Sequence, residues 1–213
     1  MKTHLLFITL ACATAVNAAD KLASISESWQ QSLTEEASNN YAAALESVLA
    51  FKSAGGETYL AAVRAGWLSY LNKDYTKAVQ YYTTAAKQEP RALTPHLGMM
   101  SVFQAQAQPE NVLREAREIL KIDQFHRPTL LIAGEILFNQ QEYRKAETYF
   151  ERAYKLQPED PIGMSWFGWS QINQGQARLA APLFERLMEI NPDGYMVRDG
   201  FAMTHPGPPP GQR

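Results

Sequence analysis

The chain has 213 residues, 46% of them hydrophobic, and its 20 Lys and Arg stand against 22 Asp and Glu for a formal net charge of −2. That composition excludes wholesale disorder. The charge balance leaves no electrostatic footprint for nucleic acid or for an anionic membrane surface.

In chain order, residues 1–18 read as a signal peptide. Lys2 supplies the positive charge, and Leu5 to Val16 is an apolar run broken only by small residues or Thr. Val16-Asn17-Ala18 puts small residues where a signal peptidase reads, so cleavage is expected after Ala18. The run is too short for roughly 30 Å of hydrocarbon, and no transmembrane span is expected in the mature chain. Cys12 is the only cysteine, and lipoprotein anchoring through it is the lesser alternative. The apolar stretch ahead of it is short, and Thr9 stands where such signals carry Leu. Cleavage leaves no cysteine, hence no disulfide framework. The expected location is the periplasm or the exterior.

The mature chain repeats itself. Lys87-Gln88-Glu89-Pro90, Lys155-Leu156-Gln157-Pro158 and Glu189-Ile190-Asn191-Pro192 are alike, and the prolines are spaced by 34 residues or twice that. Gln124 holds the missing midpoint. Gly66, Gly134 and Gly168 share one phase, with Met100 in the fourth slot. Ala78, Ala146 and Ala180 share a second, with Val112 between them, and Tyr82, Phe150 and Phe184 share a third. A 34-residue period signals a repeat of two antiparallel helices that cannot bury their apolar faces alone. The glycines and alanines let backbones approach, and the aromatics fill the gap to the next repeat. The prolines end the second helix. Pro182 falls inside a second helix, which is expected to start late or bend there.

These columns resemble the tetratricopeptide repeat family. Its Ala-x-x-x-Phe element stands as Ala146 to Phe150 and Ala180 to Phe184, with Ala78 to Tyr82 as a relative. The resemblance implies an all-α, right-handed α-solenoid over residues 19–194. Its repeats are placed at about 59–92, 93–126, 127–160 and 161–194, preceded by a diverged copy near 25–58. Residues 195–213 are expected to be a flexible Pro/Gly-rich tail, with Tyr195, Met196, Val197 and Phe201 able to cover the last repeat.

The resemblance also implies that the first helix of each repeat lines a concave face. The stripe one residue beyond the packed glycine is Leu60, Val63, Trp67 and Tyr70. The same phase selects Trp29, Leu97, Leu131, Phe138, Trp169 and Ile172. This face is poor in Lys and Arg. Asn139 and Asn173 are near it, but the basic residues with which family members clamp a peptide carboxylate are missing. An apolar helix or extended peptide suits such a face, with the aromatics as anchors. The competing possibility is that the chain fills its own groove.

His96, His126 and His205 lie in different segments without metal-ligand spacing. No phosphate loop or nucleophile motif is present. The reading is a non-catalytic protein-binding scaffold of the periplasm or cell envelope, without cofactors, for which self-association is possible. A carbohydrate- or cell-wall-associated module, or an accessory subunit of an envelope enzyme, is the alternative, because aromatic platforms also stack on sugars.

Overall fold

The structure is a computed structural model that describes the backbone of residues 2–206 and the side chains of residues 18–206. The signal-peptide and Cys12 readings therefore rest on side chains outside the described residues. Those residues form eleven helices and no strand. They are α1 (Lys2–Ala37), α2 (Tyr41–Ser53), α3 (Thr58–Leu71), α4 (Tyr75–Gln88), α5 (Leu93–Ala105) and α6 (Pro109–Ile122). The chain continues through α7 (Arg127–Asn139), α8 (Tyr143–Leu156), α9 (Pro161–Ile172), α10 (Ala177–Ile190) and α11 (Val197–Thr204). The fold is an all-α solenoid of antiparallel helix pairs. No helix among the described residues is long and apolar enough to cross a membrane.

The described residues divide between Ala107 and Gln108 into two compact units. In the first, α1 packs on α2, α3 on α4, and α3 also reaches α5. In the second, α7 packs on α8, α9 on α10, and α11 on both α9 and α10.

The turn within each pair is set by the backbone. Asn39, Lys73, Ala107, Gln141 and Gly175 all have left-handed φ, between 52° and 76°, and follow one another at 34-residue steps. At Lys73, its own N–H reaches the Tyr70 carbonyl and the next N–H, of Asp74, reaches the Ser69 carbonyl at 2.8 Å. This closure satisfies carbonyls at the helix end. Asp74 then caps α4 by accepting from the Lys77 N–H at 3.1 Å. The side-chain hydrogen bond from Lys77 holds the Asp74 carboxyl below the ordinary carboxylate range. The second helices consequently start at Tyr41, Tyr75, Pro109, Tyr143 and Ala177, again 34 residues apart.

The other turn follows the prolines. Pro90, Pro158 and Pro192 each lie two residues beyond a second helix. The residues before them, Glu89, Gln157 and Asn191, leave the helical region at φ −128°, −148° and −154°. Asp123 does the same without a proline after it, at φ −130°. Pro182 does not delay its helix: α10 begins at Ala177, in step with the other second helices, and Pro182 is its sixth residue.

Three buried aromatics of the second helices, Tyr82, Phe150 and Phe184, each lie on a bare glycine. A Cβ on Gly66 would come within 2.8 Å of the Tyr82 ring, and one on Gly168 within 2.7 Å of Phe184. Gly134 stands in the same relation to Phe150. Ala78, Ala146 and Ala180, four residues before these aromatics on the same helices, are fully buried.

The flexible tail expected from residue 195 is corrected in part. Val197–Thr204 is helical because Val197 and Phe201 join the core of the last pair, beside Met164, Phe184 and Leu187.

Candidate functional site

The predicted inner stripe divides by unit. In the first, Trp67 and Leu60 are exposed, whereas Val63, Tyr70 and Leu97 are half-buried. Trp29 is also half-buried, because its ring lies 5.0 Å from the core residue Phe51. The Trp67 indole N–H donates to Glu36 at 2.7 Å, and its ring stacks on Tyr70 at 5.7 Å.

The stripe is less free of basic residues than its sequence suggests. Arg64 is 2.8 Å from Glu36, donates to Ser32 at 2.8 Å, and lies over Trp29. This guanidinium is engaged within the unit by Ser32, Glu36 and the Trp29 ring, although its Nη2 makes an ion pair without a hydrogen bond. The first unit thus ties its inner face together through Ser32, Arg64, Glu36 and Trp67.

The second unit carries a cleft of about 390 Å³. The face of α9 supplies its floor through Ile162, Ser165, Trp166 and Trp169. The end of α7 adds Phe138 and Asn139, and the segment from Asn191 to Val197 forms the opposite wall with Tyr195 and Met196. No charged residue lines it.

Two of the predicted groove residues, Phe138 and Trp169, meet in this cleft. Leu131 is half-buried elsewhere on α7. Ile172 is a correction: at 7% exposure it belongs to the core with Leu183 and Leu187, where the end of α9 turns inward.

Trp166 is the residue the stripe missed. It stands 34 residues before Gly200 and 68 after Gly98, and both of those glycines accept an aromatic ring from the preceding second helix. A Trp cannot be covered in this way. It stacks instead on Phe150 at 5.5 Å and 10°, with Phe138 edge-on to it at 5.2 Å, and lines the cleft. Comparing that column across repeats was the signal that could have exposed it.

Trp169 meets Phe184 edge-on at 5.7 Å, and its indole nitrogen is buried without an acceptor among the described residues. Asn173 donates to the Trp169 carbonyl at 2.9 Å, and with Asn139 and Asn191 it also lines the cleft. The opposite wall is a succession of tight turns: Gly194 N–H to Asn191 O at 3.0 Å, then Val197 N–H to Gly194 O at 3.1 Å. Met196 is left-handed at φ 55°, which turns the chain into α11 and sets Tyr195 on the rim at 83% exposure.

The histidines do not converge. His126 pairs with Thr129 at 2.8 Å, and His205 with Glu185 at 2.9 Å. No cluster of three or more potential metal ligands occurs among the described residues.

Tetratricopeptide repeat models match residues 27–92 and 129–160. No curated protein matches the chain. Many solved structures share its fold. A tetratricopeptide repeat protein from Parabacteroides merdae superposes with a TM-score of 0.69 at 18% identity, covering 85% of this chain and 72% of its own. YrrB, described as a TPR protein with an unusual peptide-binding site, has a TM-score of 0.65 at 13% identity, over 88% of this chain and 95% of its own. MamA from Desulfovibrio magneticus has 0.64 at 15%, over 80% and 97%.

Proposed function

We propose that this chain, built from tetratricopeptide repeats, is a non-catalytic scaffold that binds an apolar peptide segment in the cleft of its second unit. The uncharged aromatic cleft carries the proposal. Phe138, Trp166 and Trp169 offer rigid surface at small entropic cost, and Asn139, Asn173 and Asn191 offer side-chain amides for a peptide backbone. The peptide-binding site named for YrrB supports the reading by likeness of fold. The N-terminal Lys2 and the Leu5 to Val16 run support export, and with it a partner in the periplasm or cell envelope.

The test is site-directed photo-crosslinking in the native host from Ile162 and Tyr195, which are 60% and 83% exposed on the rim. A crosslinker on the outer surface at Arg186 is the control. A polypeptide captured at both rim positions and absent from the control supports the reading. Identical adducts at all three positions refute it. The same aromatic and amide groups could stack and bond a sugar, and polysaccharide pull-down with the intact protein separates that case.

A further inference from the structure

The cleft has a chemistry that fits one segment of this chain. Its lining is neutral and its floor is aromatic, and Trp169 beside it carries a buried indole N–H with no acceptor among the described residues. An N–H left in that state is destabilising unless a carbonyl answers it. The matching ligand is an extended, uncharged peptide rich in proline. Proline has no N–H to satisfy, its rings stack on aromatics, and the polyproline backbone turns unpaired carbonyls outward. Residues 206–211 read Pro-Gly-Pro-Pro-Pro-Gly, with no charge before Arg213.

We propose that the cleft receives the Pro208–Pro210 segment of a second copy of the chain. This rests on the peptide-binding reading above and names the peptide. The departure point of the segment argues for a second copy. Its stem is fixed at His205, which stacks on Phe201 at 4.2 Å and reaches Glu185 of α10 at 2.9 Å. The cleft takes its last residue, Val197, from the opposite end of α11. That separation is about 12 Å along the helix. Pro208 follows His205 by three residues, a length of chain that spans at most roughly 11 Å, so the start of the segment falls short of Val197 on its own copy. Docking onto another copy needs no reversal. The contact is head-to-tail, so copies add in series.

The test uses the full chain and one that stops after Pro206. Sedimentation velocity over a hundredfold range of concentration follows association. The indole N–H resonances of Trp166 and Trp169 report the cleft when a peptide of residues 204–213 is added. The expected result is concentration-dependent association of the full chain, loss of it on truncation, and shifts of both indoles by the peptide. A peptide with Pro208, Pro209 and Pro210 replaced by Ala should bind roughly tenfold more weakly or worse. Trp169→Ala endangers the fold, so the exposed rim variants Ile162→Ser and Tyr195→Ser serve instead, each with the same direction of effect. Equal association with and without the tail overturns the proposal. A full chain that stays monomeric while truncation moves the indoles overturns it too, because the tail then covers its own cleft. If other apolar peptides shift the indoles and the tail peptide does not, this inference falls and the peptide-binding reading stands. If no peptide shifts them, both fall.

Discussion

Phe184 of α10 lies between two glycines, Gly168 of α9 and Gly200 of α11, so that its ring touches bare backbone on both sides. Tyr82 lies in the same way between Gly66 and Gly98. The first helix of a sixth repeat is therefore present in α11, and it closes the last pair where a second partner helix would otherwise be needed. Gly200→Val should force the Phe184 ring aside and destabilise the second unit by about 2–3 kcal/mol. Urea unfolding measures this. Ala202→Val, exposed on the same helix, should stay within about 0.5 kcal/mol of wild type.

The left-handed column makes a second prediction. Gly175 adopts φ 76° freely, whereas Ala107 holds φ 52° against its own Cβ. Ala107→Gly should stabilise the chain by about 0.5–1 kcal/mol, because relief of strain exceeds the added freedom of the unfolded state. Gly175→Ala should destabilise by about 1 kcal/mol. Thermal melts of both variants read the sign directly, and a stabilised Gly175→Ala would refute the backbone account.

Much of this was legible locally and some was not. Pro90, Pro158 and Pro192 announce the ends of second helices because a proline restricts the residue before it. The Gly66, Gly134 and Gly168 column announces close packing because nothing else lacks a side chain. Lys73, Ala107 and Gln141 do not announce positive φ, since the hydrogen bonds of the turn impose it on ordinary residues, whereas Asn39 is of a type that adopts it readily. Trp166 escaped the groove reading because its column elsewhere is packed against a second-helix aromatic. Ile172 entered that reading because a straight stripe ignores how the last turn of α9 faces the core. Tyr195 and Met196 were foreseen as a cover for the last repeat, but their place on the cleft wall depends on the turns from Asn191 to Val197, which have no periodic pattern.

Tyr82 gives the first unit an alkaline limit. The residue is 4% exposed, and burial pushes its phenol up to about 12 from the ordinary 10. A folded pKa above the unfolded one means the contribution is complete below pH 10 and is lost as pH rises through about 12. That difference amounts to about 2.7 kcal/mol at most. The stability of wild type should therefore fall relative to Tyr82→Phe between these two pH values. Chemical unfolding at a series of pH values compares them, and parallel curves for the two proteins would remove Tyr82 as the cause.

The entry to α9 joins stability to the cleft. Asp160 accepts the Gly163 N–H at 2.6 Å, which caps the helix, and the same carboxylate takes the Arg127 guanidinium at the start of α7. Both side chains are largely withdrawn from water, at 17% and 22% exposure. Pro161 and Ile162, the next two residues, line the cleft. Asp160→Asn keeps an acceptor for the cap but removes the charge that answers Arg127, and should cost about 1–2 kcal/mol. Asp160→Ala removes both and should cost about 3 kcal/mol. Replacing Arg127 by Leu in the Ala background should recover part of that loss, because no unpaired guanidinium is then left half-buried. Urea unfolding of wild type, Asp160→Ala, Arg127→Leu and the double variant completes a double-mutant cycle. A coupling near zero would reduce the pair to a surface contact. A clear coupling, with the first turn of α9 loosened in hydrogen exchange, would make Asp160 the residue that holds the floor of the cleft in place.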